Sequence, residues 1–150
     1  MKLTQLYFEQ KINTDINKLW NFISSPKNLS KITPDYMDFK ILSEIPNEMY
    51  EGLIISYTVR PILGFKLNWV TEITHIKKNK YFIDEQRQGP YKMWHHEHIL
   101  EETNDGIIMR DKLSYIPPFG IFGQILNKLF IQKQINRIFE YRTKILDEIF

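Results

Sequence analysis

Cysteine is absent from this chain of 150 residues. That removes disulfides, thiolate metal sites and a cysteine nucleophile, and it leaves the compartment undecided. Charge of one sign is also lacking, since 20 Lys and Arg stand against 18 Asp and Glu for a net charge of +2. So small an excess, without a Lys/Arg-rich block, gives no electrostatic case for nucleic acid, and none is expected as a partner. No apolar run approaches the roughly 20 residues that a membrane-spanning helix needs. The opening MKLTQLYFEQKI alternates and carries charges, unlike a secretory leader. No Gly-x-Ser-x-Gly elbow is present to supply a serine nucleophile. These absences make a soluble cytoplasmic protein the expectation, and no motif asks for a cofactor.

What remains is ordinary in amount and unusual in placement. The length and the even composition suit one domain over residues 1–150. A chain this long buries roughly 70% of its unfolded surface without staples. Aromatics make up 14% of the residues, enough to line a pocket or to fill a core.

Leu3 to Ile12 alternates as a half-buried strand does. Asn13 and Thr14 are helix N-cap types, and Asp15 suits a first turn. Ile16, Leu19, Trp20 and Ile23 then recur at helical spacing, and Ser24-Ser25-Pro26 ends that helix. Pro26 opens a second short helix to about Ile32, stopped before Pro34. Strands are expected near Met37–Leu42, Gly52–Arg60 and Phe65–Ile76, followed by three more between Tyr81 and Tyr115. Pro117-Pro118-Phe119-Gly120 breaks the pattern, and the rest reads as one long helix. The class is therefore α+β: an antiparallel meander whose apolar face that helix covers.

The run Tyr81–Tyr115 puts ionisable residues where a sheet should be apolar. Ile107, Met109, Leu113 and Tyr115 share one face, and parity puts Asp111 with them. Trp94, His96, His98 and Leu100 form the inward set of the preceding strand. Folding about Gln88–Tyr91 places His96 near Asp84 and Trp94 near Gln86. Folding about Glu102–Gly106 places His96 near Asp111, His98 near Met109 and Leu100 near Ile107. The outcome is a cross-strand row, Asp84–His96–Asp111, flanked by Gln86 and His98. A buried charge there needs a partner. The competing reading leaves these groups solvated at a strand end. His75 and His95 face outward.

In the long helix Ile131, Ile135, Ile138, Arg142, Ile145 and Ile149 recur at spacings of three and four. Arg142 interrupts the stripe. It either snorkels to water or turns inward to pair with Asp84, Asp111 or a ligand anion. The helix start, from Phe119 to Phe130, is apolar on more than one face.

The order of elements, with Phe82-x-Asp84-x-Gln86-x-x-Gly89-Pro90, Trp94-x-His96-x-His98, Asp111-x-Leu113-x-Tyr115, Pro118-Phe119-Gly120 and Ile138-Phe139-x-Tyr141-Arg142, resembles the START/Bet v 1-like (SRPBCC) superfamily. The motifs are similar to those of a bacterial subgroup described as cell-division-inhibitor-like or ligand-binding. The resemblance implies a helix-grip fold, in which a curved seven-stranded antiparallel sheet grips the C-terminal helix around a cavity. It also implies a small hydrophobic or amphipathic ligand, since members carry lipids, sterols and aromatic polyketides. Some members are cyclases or dehydratases.

The expected cavity walls are Trp69, Phe82, Trp94, Met109, Leu113, Tyr115, Ile135 and Ile138, with Asp84, Gln86, His96, His98, Asp111 and Arg142 as polar groups. A filled core holding a satisfied polar network is the competing expectation. Acid/base catalysis by His96, its pKa raised between Asp84 and Asp111, is the enzymatic alternative. His96 and His98, two apart on one strand face, are also candidate metal ligands, with Asp84 or Asp111 as a further ligand. The segment Pro117–Phe130 is either buried helix start or a lid making transient membrane contact.

Overall fold

A computed structural model describes residues 2–62 and 64–150. Strand β1, Thr4–Ile12, alternates throughout, with its sheltered side chains on the concave face of the sheet. Asp15 caps helix α1, Ile16–Ile23, its carboxylate accepting from the backbone N–H of Asn17 and Lys18. It is thus the cap itself and not a first-turn acid. The expected second helix shrinks to a 3-10 turn at Pro26–Asn28, where the Asn28 amide bonds back to Phe22 O at 3.0 Å. Another 3-10 turn takes up Asp35–Met37, so the strand expected near Met37–Leu42 is reduced to β2, Lys40–Ile41.

The remaining strands are β3 (Ile54–Ile62), β4 (Phe65–Lys77), β5 (Tyr81–Gln88), β6 (Met93–Thr103) and β7 (Gly106–Ile116). All seven join in one antiparallel sheet, in the order β1-β7-β6-β5-β4-β3-β2. Register shifts between β4 and β5, at Val70/Thr71 and at Ile73/His75, mark bulges. Bulges bend a strand and increase its twist, which curves the sheet around what it covers.

The covering element is the C-terminal helix: α2 (Gly120–Leu126), a π turn (Asn127–Ile131) and α3 (Gln132–Ile149). Gly123 permits its start. A Cβ there would stand 1.5 Å from the Pro118 carbonyl oxygen, so the proline loop crosses the helix at a place where no side chain fits. The buried face of the helix runs Ile131, Ile135, Phe139 and Leu146. Ile138 and Ile145 are half-buried and Ile149 is exposed, so the face is rotated from the expected isoleucine stripe toward Phe139. Phe139 stacks on Phe8 of β1 at 4.0 Å between ring centroids.

This α+β helix-grip architecture divides its apolar interior in two. One cluster gathers Trp20, Ile73, Phe82, Leu100, Met109 and Leu146; the other gathers Trp69, Tyr91, Leu113, Tyr115, Ile135 and Phe139. The start of the C-terminal helix is not buried. Phe119, Ile121 and Phe122 are 72, 75 and 77% exposed. Among the described residues no helix is long and apolar enough to cross a membrane.

Candidate functional site

Three strands and one helix bring five charged or ionisable side chains together at the junction of the two apolar clusters. Asp84 comes from β5, His96 and His98 from β6, Asp111 from β7 and Arg142 from α3. Alternation turns Phe82 and Asp84, then Trp94, His96, His98 and Leu100, then Met109, Asp111 and Leu113 toward the helix. Asp84 lies opposite His96, as the first turn predicts.

The second hairpin differs from expectation by two residues of register. Pairing continues to Thr103↔Gly106, so His98 and not His96 lies opposite Asp111, while His96 faces Leu113 and Leu100 faces Met109. A shift of two residues preserves the face and changes the partner. The single row with His96 at its centre is therefore a four-membered block, and His96 reaches Asp111 diagonally.

The block is cross-linked at every corner. His96 Nε2 and His98 Nδ1 each lie 2.9 Å from Asp111 Oδ1. On the other side His98 Nε2 lies 2.9 Å and His96 Nδ1 3.4 Å from Asp84 Oδ2. The two imidazoles lie 3.8 Å apart between centroids. Arg142 Nη1 donates to Asp111 Oδ1 at 3.1 Å, so the inward reading of this cation holds. Apolar rings close both ends: Phe82 stacks on His98 at 4.0 Å, and Phe139 meets His96 edge-on at 5.4 Å.

Burial and pairing compete for each proton. Burial alone would raise Asp111, but the Arg142 charge and the two histidine hydrogen bonds hold its carboxyl well below the usual range. Asp84, also resisted by burial, is lowered by the His98 hydrogen bond and the nearby cations. Burial opposes a charge on His98 as well, but hydrogen bonds to Asp111 and Asp84 win and its pKa rises. His96 behaves oppositely to expectation. Burial, with the charge of adjacent His98, lowers its pKa despite the two carboxylates. Burial thus works against a charge on both imidazoles, and the carboxylates overcome it at His98 but not at His96.

Beside the block lies a pocket of about 170 Å³, walled by the sheet, α1 and its following turn, and α3. Of the residues expected around it, Trp69, Phe82, Trp94, Met109, Ile135 and Ile138 stand on its wall, as do Asp84, His96, His98 and Arg142. Four do not. Asp111 sits behind the histidines, and Leu113 and Tyr115 are buried within the second cluster. Gln86 folds into the turn, where its amide donates to Tyr91 O at 2.6 Å and accepts from Tyr91 N at 3.2 Å. Its side chain fills the space over Gly89, where a Cβ would stand 2.5 Å from Gln86 Oε1. The β5–β6 ladder ends at Glu85↔His95, so Gln86 lies beyond its last pair and does not face Trp94 as expected.

Sequence reasoning missed Phe39, Tyr57, Tyr91 and Phe139, which complete the aromatic wall. Tyr57 stacks near Trp69, and Tyr91 leans on both Trp69 and Trp94. Tyr57 was readable from the alternation of β3; Tyr91 in a turn carried no signal. Two wall residues hold an unspent donor. Trp69 Nε1 and Arg142 Nε are buried without an acceptor among the described residues. Buried donors of this kind cost about 1–3 kcal/mol each.

No family model matches the chain, and no curated protein matches it either. Solved structures do. TTHA0849 from Thermus thermophilus is 19% identical and superposes with a TM-score of 0.69, over 97% of this chain and 95% of its own. Protein CV1439 from Chromobacterium violaceum gives a TM-score of 0.73 at 10% identity, covering 96% of this chain and 95% of that one. The ginseng major latex-like protein 151 from Panax ginseng gives 0.68 at 11% identity, covering 97% and 96%. Likeness at these identities speaks for the fold.

Proposed function

We propose that this chain, which has the START/Bet v 1-like helix-grip fold, binds a small amphipathic ligand between the sheet and α3. The pocket carries the reading: about 170 Å³ with aromatic walls and one polar end. That volume holds on the order of ten waters, which favours a single ring system or a short chain over a whole phospholipid. The apolar body packs among Phe39, Tyr57, Trp69 and Trp94. The polar end turns toward the Asp84–His96–His98–Arg142 side. Because Trp69 Nε1 and Arg142 Nε lack acceptors, the ligand group that suits this end is a hydrogen-bond acceptor such as a carboxylate, carbonyl or ether oxygen.

Trp69 and Trp94 report on occupancy. Titrating the protein with an aromatic carboxylic acid and with the parent hydrocarbon is expected to give saturable quenching by both, tighter for the acid. Native mass spectrometry after detergent-free purification is expected to show a retained small apolar molecule. Ile135→Trp, which fills the pocket, is expected to abolish both signals. A protein with no retained molecule and no saturable response would overturn the reading.

A further inference from the structure

The four ring nitrogens of His96 and His98 are used unequally. The two on the Asp111 side share a single carboxylate oxygen at 2.9 Å each. At that distance each must donate an N–H, because a lone pair facing a carboxylate oxygen repels it. A neutral imidazole has one N–H and one lone pair. Donation to Asp111 leaves His96 Nδ1 as a lone-pair nitrogen. His98 Nε2, 2.9 Å from Asp84 Oδ2, donates there as well and releases that proton when a metal ion takes its place. Both of those atoms face Asp84 Oδ2, at 3.4 and 2.9 Å. With that proton displaced, three electron-pair donors converge on one small volume.

We propose that Asp84, His96 and His98 form a site for a first-row divalent metal ion of the zinc class, with a coordination position open to the pocket. One donor atom from each residue lies within 4.8 Å of the others. At metal–ligand distances of about 2.0–2.1 Å, neighbouring ligands stand roughly 3.0–3.4 Å apart. His96 Nδ1 lies at that spacing from Asp84 Oδ2, at 3.4 Å, and His98 Nε2, at 2.9 Å, needs only a small outward shift. The donor set, two imidazoles and one carboxylate, suits zinc and its neighbours rather than magnesium or calcium. Asp111 supplies the outer partner. It orients both imidazoles through their far N–H groups, as a carboxylate commonly does behind a metal-bound histidine, and Arg142 fixes Asp111 in turn.

The open position follows from placement. Asp84, His96 and His98 stand on the pocket wall, and Asp111 does not. Three protein ligands with a fourth place left to water or ligand is the pattern of sites that act on a bound molecule. With neutral imidazoles, a divalent ion, two carboxylates and Arg142 leave one positive charge. An anionic group or a hydroxide at the open position balances it. The site stands independently of the ligand reading, since it is detected by metal alone.

The test uses untagged full-length protein dialysed against zinc chloride and, separately, cobalt chloride. One equivalent per chain is expected, with cobalt giving the visible absorption of a low-coordinate N/O site. Asp84→Asn and His98→Gln are expected to weaken binding at least tenfold. Asp111→Asn, a positioning change, is expected to weaken it about 10–100-fold and to alter the cobalt spectrum. The double change His75→Gln/His95→Gln leaves binding unchanged. Zinc also raises the melting temperature of the unaltered protein, which keeps the test valid should a ligand variant fold poorly. No stoichiometric uptake by the unaltered protein, or uptake that survives in folded His98→Gln, overturns the proposal.

Discussion

The strands β5, β6 and β7 carry charge on both faces of the same sheet, and the two faces treat it differently. Inside, Asp84, His96, His98, Asp111 and Arg142 are shut between aromatic rings. Outside, His95 Nδ1 lies 2.6 Å from Glu85 Oε1, and Arg110 bridges Glu9 and Glu101. His95 and His96 are adjacent in the chain, and each has a carboxylate within 3 Å. Yet no surrounding of His95 displaces water as Phe82 and Phe139 do around the inner pair. The lesson concerns partners removed, not partners gained. An exposed ion pair replaces water contacts with similar ones, whereas a buried group that loses its partner has no water to fall back on.

The largest test of that contrast is Asp111→Ala. One oxygen of Asp111 serves His96, His98 and Arg142 together. Its removal leaves a buried cation unpaired, and the urea midpoint is expected to fall by the equivalent of about 3–5 kcal/mol. Arg142→Met keeps the apolar stem and removes the cation. A loss of about 1–3 kcal/mol is expected in the same measurement, smaller because His96 and His98 still satisfy Asp111.

Acid sharpens the contrast next. Asp84 and Asp111 have folded pKa values below 3.8, so their stabilisation is whole above that pH and drains as the pH falls through the folded values. His98 has a folded pKa above 6.5, so its contribution is whole below 6.5 and is lost as the pH rises through the folded value. Urea midpoints followed from acid to mild alkali on chelated protein are expected to slope at both ends. Asp111→Ala should flatten both slopes. Midpoints of equal pH dependence in the two proteins would sink the account.

On the outer face, His95→Ala is expected to cost less than about 1 kcal/mol, and its effect should shrink further in salt. Arg110→Ala is expected to be the quietest change, with a midpoint inside the scatter of replicate measurements. A loss at Arg110 as large as that at Asp111 would remove the distinction between the faces.

Much of this arrangement could be read before any coordinates, because a period of two is robust. The inward sets of β5, β6 and β7 follow from alternation alone, and so does the α+β order of elements. Pairing partners are a finer matter. Nothing local says whether Ile107 pairs with Leu100 or with Glu102, and that choice moved Asp111 from His96 to His98. Parity fixes a face and not a hydrogen-bond partner, which is why Gln86, expected on the wall, is found bonded to the Tyr91 backbone in the turn. The helix face was drawn through isoleucines because they are apolar and evenly spaced. The sequence carried no sign of the π turn at Asn127–Ile131 ahead of α3, whose buried face includes Phe139.

The sheet order has a further consequence, in time. The β5–β6 and β6–β7 hairpins pair residues close in the chain, so the Asp–His block assembles from local contacts. The last neighbour of β7 is β1, whose Thr4 meets Tyr115 across more than a hundred residues. Asn127 secures that seam by accepting from the Tyr115 hydroxyl at 2.7 Å and donating to Thr4 at 3.0 Å. Contacts of such separation form late, because closing a long loop carries an entropy cost before any contact rewards it. In a folding chain the charged block therefore precedes the seam that closes the sheet. Substituting Asn127 should slow closure of the β1–β7 seam while leaving the early hairpins as they were.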